Sequence, residues 1–101
     1  MTLWNKNPVL VFITEIIGTF ILLLTILMSG GNALAIGLAL TIGIVLGGAI
    51  SGGNFNPVVS FVMFLQESMS AIECVFYIIA QLLGAVFALG FYRSYLSAKG
   101  K

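Results

Sequence analysis

Ser51-Gly52-Gly53-Asn54-Phe55-Asn56-Pro57-Val58-Val59-Ser60 lies between two long apolar runs in a chain with almost no charge. Proline has no backbone N–H to donate, and its fixed φ suits the first turn of a helix. Asparagine is a preferred N-cap. Asn56-Pro57 therefore reads as a helix start, and the glycine-rich segment Ser51 to Phe55 as the extended loop that leads into it. Within a bilayer such a loop survives only where protein buries it or where it lines an aqueous cavity. The stretch predicts a re-entrant element facing a pore.

The composition puts that element in a membrane. Of 101 residues, 60% are hydrophobic and 7% charged, whereas a soluble domain carries about 25% charged residues. The chain is expected to be an integral membrane protein. A net charge of +1 gives no reason to look for nucleic acid. Histidine is absent and Cys74 is the single cysteine, which excludes a disulfide within one chain and argues against a zinc site. Cys74 reads as a small buried apolar residue. No cofactor, metal or enzymatic chemistry is expected.

Outward from the loop, the apolar runs are long enough to span. Met1 to Asn7 forms an interfacial lead with Trp4 as an anchor. Pro8 suits a first helical turn, and the first span runs over about 9–28, carrying Glu15. It is too long for the apolar core of a signal peptide, so it reads as a retained span. Ser29-Gly30-Gly31-Asn32 is a tight turn. The second span covers about 33–50, with Gly37, Gly43 and Gly47 as candidates for close helix contact. The loop and a half-helix follow over about 51–66, the half-helix reaching about 15 Å, half of a hydrocarbon core of about 30 Å. Glu67 to Ser70 is a polar surface turn, and the last span covers about 71–92. Glu67 and Glu73 read as solvated. Phe12, Phe20, Phe76 and Phe87 read as lipid-facing or packing residues. The expected fold is all-α: three transmembrane helices and one re-entrant half-helix, forming one domain over 1–101.

Three motifs carry a family resemblance. The loop resembles the first Asn-Pro-Ala loop of the aquaporin/glycerol-channel family, the major intrinsic proteins. Thr14-Glu15-Ile16-Ile17-Gly18-Thr19-Phe20 is similar to that family's Glu-x-x-Gly-Thr-Phe first-helix signature. Tyr77-Ile78-Ile79-Ala80-Gln81-Leu82-Leu83-Gly84-Ala85 is similar to its Ala-Gln-x-x-Gly-Ala third-helix signature. They occur in family order and cover nearly the whole chain. The pattern departs in two places, where Val58 stands for the usual Ala and Asn54 for a common His. A third difference is larger: family members carry two inverted halves, and this sequence has one, resembling the first.

The resemblance implies roles. Asn56, with Pro57 behind it, points its amide into the pore and donates to passing water or polyol. The half-helix N-terminus adds a positive potential of about half a charge. Gly52, Gly53, Asn54 and Phe55 would offer backbone carbonyls to the permeant. Glu15 would hold the loop from behind, and Gln81 would hydrogen-bond within the bundle near it. By the same resemblance, the family's constriction positions, counted from Asn56, correspond to Ile36, Ile44 and Val59, all aliphatic, in place of an aromatic-plus-arginine filter.

A complete pore needs two half-helices meeting from opposite sides. One kind of chain supplies both only by inserting in both orientations. The basic residues give a modest bias: Lys6 lies on one face, with Arg93, Lys99 and Lys101 on the other. The expected function is a passive channel for water or small neutral solutes such as glycerol. It would be built from an antiparallel pair of these chains, or from this chain and a separately encoded second half. The alternatives are a non-conducting or lesion-forming small membrane protein and a dual-topology exporter using Glu15.

Overall fold

The computed structural model describes residues 6–100; the expected anchor Trp4 lies outside them. Four helices follow in order: α1 (Pro8–Met28), α2 (Ala33–Ser51), α3 (Pro57–Leu65) and α4 (Ala71–Ala98). Helices α1, α2 and α4 are long and apolar enough to cross a membrane. At nine residues, α3 reaches only about 14 Å.

Each start is set by a residue visible in the sequence. The Asn7 side chain accepts from the backbone N–H of Val9 and Leu10, with Pro8 opening α1. Asn32 Oδ1 accepts from Ala35 at the start of α2, after the turn at Gly30 and Gly31. Asn56 and Pro57 open α3 as expected. Helix α2 ends one residue later than the expected 50, with Ser51 inside it. Gly52 adopts φ +88° there and donates its N–H to Gly48, a left-handed cap that glycine enters without steric cost.

The last helix continues past the span expected to about 92 and ends at Ala98, because nothing between Arg93 and Ala98 breaks a helix. At 28 residues it is about 42 Å long, so one end extends past the hydrocarbon core. There the Lys99 ammonium lies 5.1 Å from the centre of the Tyr95 ring. Glu73 is not solvated; it is buried in a capping box. The Ser70 hydroxyl accepts from Glu73 N–H at 3.1 Å, and the Glu73 carboxylate accepts from Ser70 N–H at 2.8 Å. The Ser-x-x-Glu spacing is the signal for it.

Helix α1 is the centre of the bundle, with α2 on one side and α4 on the other, while α3 lies against α4. The buried stripe of α1 is Val11, Glu15 and Thr19, one residue per turn. The stripe of α4 is Cys74, Tyr77, Ala80, Gln81, Gly84 and Ala88. Gly84 lets the two backbones approach: a β-carbon there would stand 2.5 Å from the Ile16 carbonyl oxygen. Of the expected contact glycines, Gly47 meets α1, where a β-carbon would stand 2.9 Å from Thr14 Cγ2, and also faces the Phe55 ring; Gly43 faces that ring, and Gly37 faces open space. Phe12 meets Phe76 edge-on at 4.7 Å, and Phe20 meets Phe91 at 6.1 Å. Phe87 is exposed.

Candidate functional site

The loop between α2 and α3 is anchored by one carboxylate. Glu15 has no exposed surface. Its Oε2 accepts from the Ser51 hydroxyl at 2.6 Å and from Asn54 N–H at 3.2 Å. Its Oε1 accepts from Phe55 N–H at 2.8 Å and from Gln81 Nε2 at 3.0 Å. Its two oxygens thus meet four donors, as many as a carboxylate can accept. A buried acid without a cationic partner is tolerable only when its lone pairs are met in this way. Glu15 and Gln81 thus meet directly behind the loop.

Residues without an assigned role in the sequence reading complete the network. Ser60 is fully buried on the inner face of α3 and accepts from Gln81 Nε2 at 2.8 Å and Asn54 Nδ2 at 3.1 Å. Ser51 Oγ also accepts from Gly53 N–H at 3.2 Å. The Tyr77 hydroxyl donates to the Ser51 carbonyl at 2.6 Å, tying α4 to the end of α2. The signal for Tyr77 is its place four residues before Gln81, on the same helix face. Ser60 stands four after Asn56 on a short apolar helix, where a lone hydroxyl has to point inward. Replacing Tyr77 by Phe should cost about 0.5–1.5 kcal/mol, the range for one hydrogen bond between membrane helices. Reversible unfolding in mixed micelles measures it, and an unchanged midpoint would discount the bond.

These bonds leave the loop one-sided. The N–H groups of Gly52, Gly53, Asn54 and Phe55 are all bonded, to Gly48, Ser51 and Glu15. Their four carbonyls accept no hydrogen bond among the described residues. The Asn56 side-chain oxygen accepts from Val58 N–H at 2.9 Å, and its Nδ2 is exposed and donates to nothing among the described residues. A row of free acceptors therefore ends at a free donor, beside the positive end of α3. Pro57, half-buried, holds that end.

The aliphatic positions are only partly gathered here. Ile44 packs under the loop, 3.3 Å from where a Gly53 β-carbon would lie. Val59 is half-buried on α3. Ile36 lies two turns further along α2, about 12 Å from Ile44. The Phe55 side chain does not accompany its carbonyl; its ring is buried behind the loop.

Comparison with known proteins agrees with this arrangement. A family model described as major intrinsic protein matches residues 28–100. Glycerol uptake facilitator protein-like 6 of Lactiplantibacillus plantarum is 38% identical over 97 residues, covering 88% of this chain and 45% of that protein. Probable aquaporin PIP2-2 of Oryza sativa subsp. japonica is 47% identical over 49 residues, 48% of this chain and 17% of its own length. Aquaporin PIP2-1 of Arabidopsis thaliana is 45% identical over the same extent. The chain thus spans less than half the length of these relatives. With its helices and loop geometry, the match over most of the chain makes this an integral membrane protein that belongs to the major intrinsic protein family.

Proposed function

We propose that this chain is a single half-repeat, over 1–101, of a passive channel for water and small neutral solutes such as glycerol. The observation that carries this reading is the one-sided loop: every N–H from Gly52 to Phe55 is bonded inward, while four carbonyls and the Asn56 side-chain NH2 have no partner among the described residues. A water or polyol hydroxyl can donate to the carbonyls and accept from Asn56. The half-helix dipole disfavours a cation at the same point. Ile36, Ile44 and Val59 would form an aliphatic constriction. Glu15 is spent on holding the loop and has no open face, which does not suit proton-coupled export.

One half-helix lines one approach to such a pore. The second approach would come from a copy in the inverted orientation, or from a separately encoded half.

Osmotic shrinkage of liposomes carrying this chain alone, read by stopped flow with sucrose and then glycerol, tests the reading. Water flow at low activation energy without ion leak is expected. Asn56→Asp keeps an N-cap, so the helix stays. It removes both amide donors and adds a negative charge, which should cut water flow about tenfold and admit cations. Flow no faster than bare lipid, from folded protein, would sink the homo-oligomer. Flow that appears only with a second chain would favour the separately encoded half.

A further inference from the structure

Phe55 is out of place by local rules. Its φ is +53°, in the left-handed region that bulky residues avoid. Such a conformation persists where the surroundings over-determine it, and it gathers at sites where it has a use. The surroundings here are specific. Phe55 is 2% exposed, and its ring sits between α1 and α2, against Gly18 on one and Gly43 and Gly47 on the other, at the wall of a cavity between the two helices. A β-carbon on Gly18 would clash with the ring edge; one on Gly43 would stand 3.0 Å from the ring and one on Gly47 3.3 Å, the latter also 2.9 Å from Thr14 Cγ2. Three glycines from two helices shape the seat.

The same residue donates its N–H to Glu15 on the loop's inner side. A loop held only through N–H groups can still swing about those bonds. A ring docked through Cβ removes that freedom, and the next residue is Asn56. We propose that Phe55 is a positioning residue: its ring, wedged among Gly18, Gly43 and Gly47, fixes the rotation of the loop and so the direction in which Asn56 holds its amide. Where permeation is concerned, this rests on the channel reading; the geometric part stands without it.

Three variants test it. Phe55→Gly accepts the backbone conformation without strain but has no ring. Gly18→Ala keeps the ring and blocks its seat. Gly18→Ala with Phe55→Leu restores a fit with a smaller side chain. In lipid nanodiscs, amide hydrogen exchange at Val58, whose N–H is held by Asn56, should quicken about tenfold or more in the two single variants, while Ala80 and Gly84 on α4 keep wild-type rates. The double variant should return to within about threefold. In liposomes, water flow per folded protein should fall about tenfold in the single variants, with the glycerol-to-water ratio raised, and recover in the double. Unchanged exchange at Val58 would overturn the proposal. So would faster exchange spread evenly along α4, which would make the ring ordinary packing. If the wild type alone passes no water, the homo-oligomeric channel falls, and the exchange result alone decides the role of Phe55.

Discussion

Replacing Glu15 by alanine should destabilise the protein by about 3–5 kcal/mol, because four buried donors lose one acceptor together, at about 1–3 kcal/mol for each left unmet, less what Gln81 recovers elsewhere. The alanine leaves the Ser51 hydroxyl, the Asn54 and Phe55 N–H groups and the Gln81 amide without their acceptor, all in a dry interior. Hydrogen bonds between membrane helices average only about 0.6 kcal/mol, because the separated helices find other partners. That discount applies to Gln81, but the loop amides have no helix of their own to return to, and each stranded donor costs about 1–3 kcal/mol. The effect is a large fraction of a typical stability of about 5–15 kcal/mol. Glu15→Gln should be intermediate, since one oxygen still accepts while the new NH2 faces donors. Unfolding followed by far-ultraviolet circular dichroism gives the energies, and amide exchange at Asn54 and Phe55 locates the loss. A Glu15→Ala protein within about 1 kcal/mol of wild type would show that the loop is held by something else.

Gly84→Val should be comparably damaging for a different reason. A β-carbon at Gly84 meets the Ile16 carbonyl oxygen at 2.5 Å, Thr19 Cβ at 3.0 Å and Phe20 N at 3.1 Å. Two of these are backbone atoms of α1, so no side chain can rotate aside and the helices must part. Overpacking ordinarily costs about 1–3 kcal/mol, and a branched side chain against backbone belongs at or above the upper end. The separation also stretches the 3.0 Å bond from Gln81 to Glu15, one turn away on the same helix. Gly90→Ala is the control: nothing lies within 4 Å of its β-position, and the change should be neutral or stabilise by up to about 1 kcal/mol through helix propensity. If the two variants unfolded at the same denaturant concentration, the close α1–α4 approach would not be a determinant of stability.

Local signals carried most of the secondary structure. Asn7-Pro8, Asn32 and Asn56-Pro57 are helix starts whose chemistry lies within a few residues of chain, and all three open helices. Glu15 stands alone as an acid in an apolar run, and Gln81 is a polar residue in another, so both declared themselves as groups needing partners. Ser70 and Glu73 were equally legible by spacing, but the surface position of the turn concealed that the carboxylate folds back onto it. Where α4 ends was less legible, because apolarity stops at Tyr92 while helix-forming residues do not.

The sequence by itself determined which segments cross the membrane and where the half-helix begins. In a bilayer, apolar length and backbone hydrogen bonding leave little choice, and both are properties of short stretches. Only the tertiary structure decided which faces meet. It selected Gly84 over Gly37 as the point of close approach. It gathered Ser51, Ser60 and Tyr77 around Glu15, and it turned the Phe55 ring away from its own carbonyl. Those choices depend on the rotation of one helix against another, which is fixed by contacts between residues as many as 66 apart in sequence and has no signature within either segment.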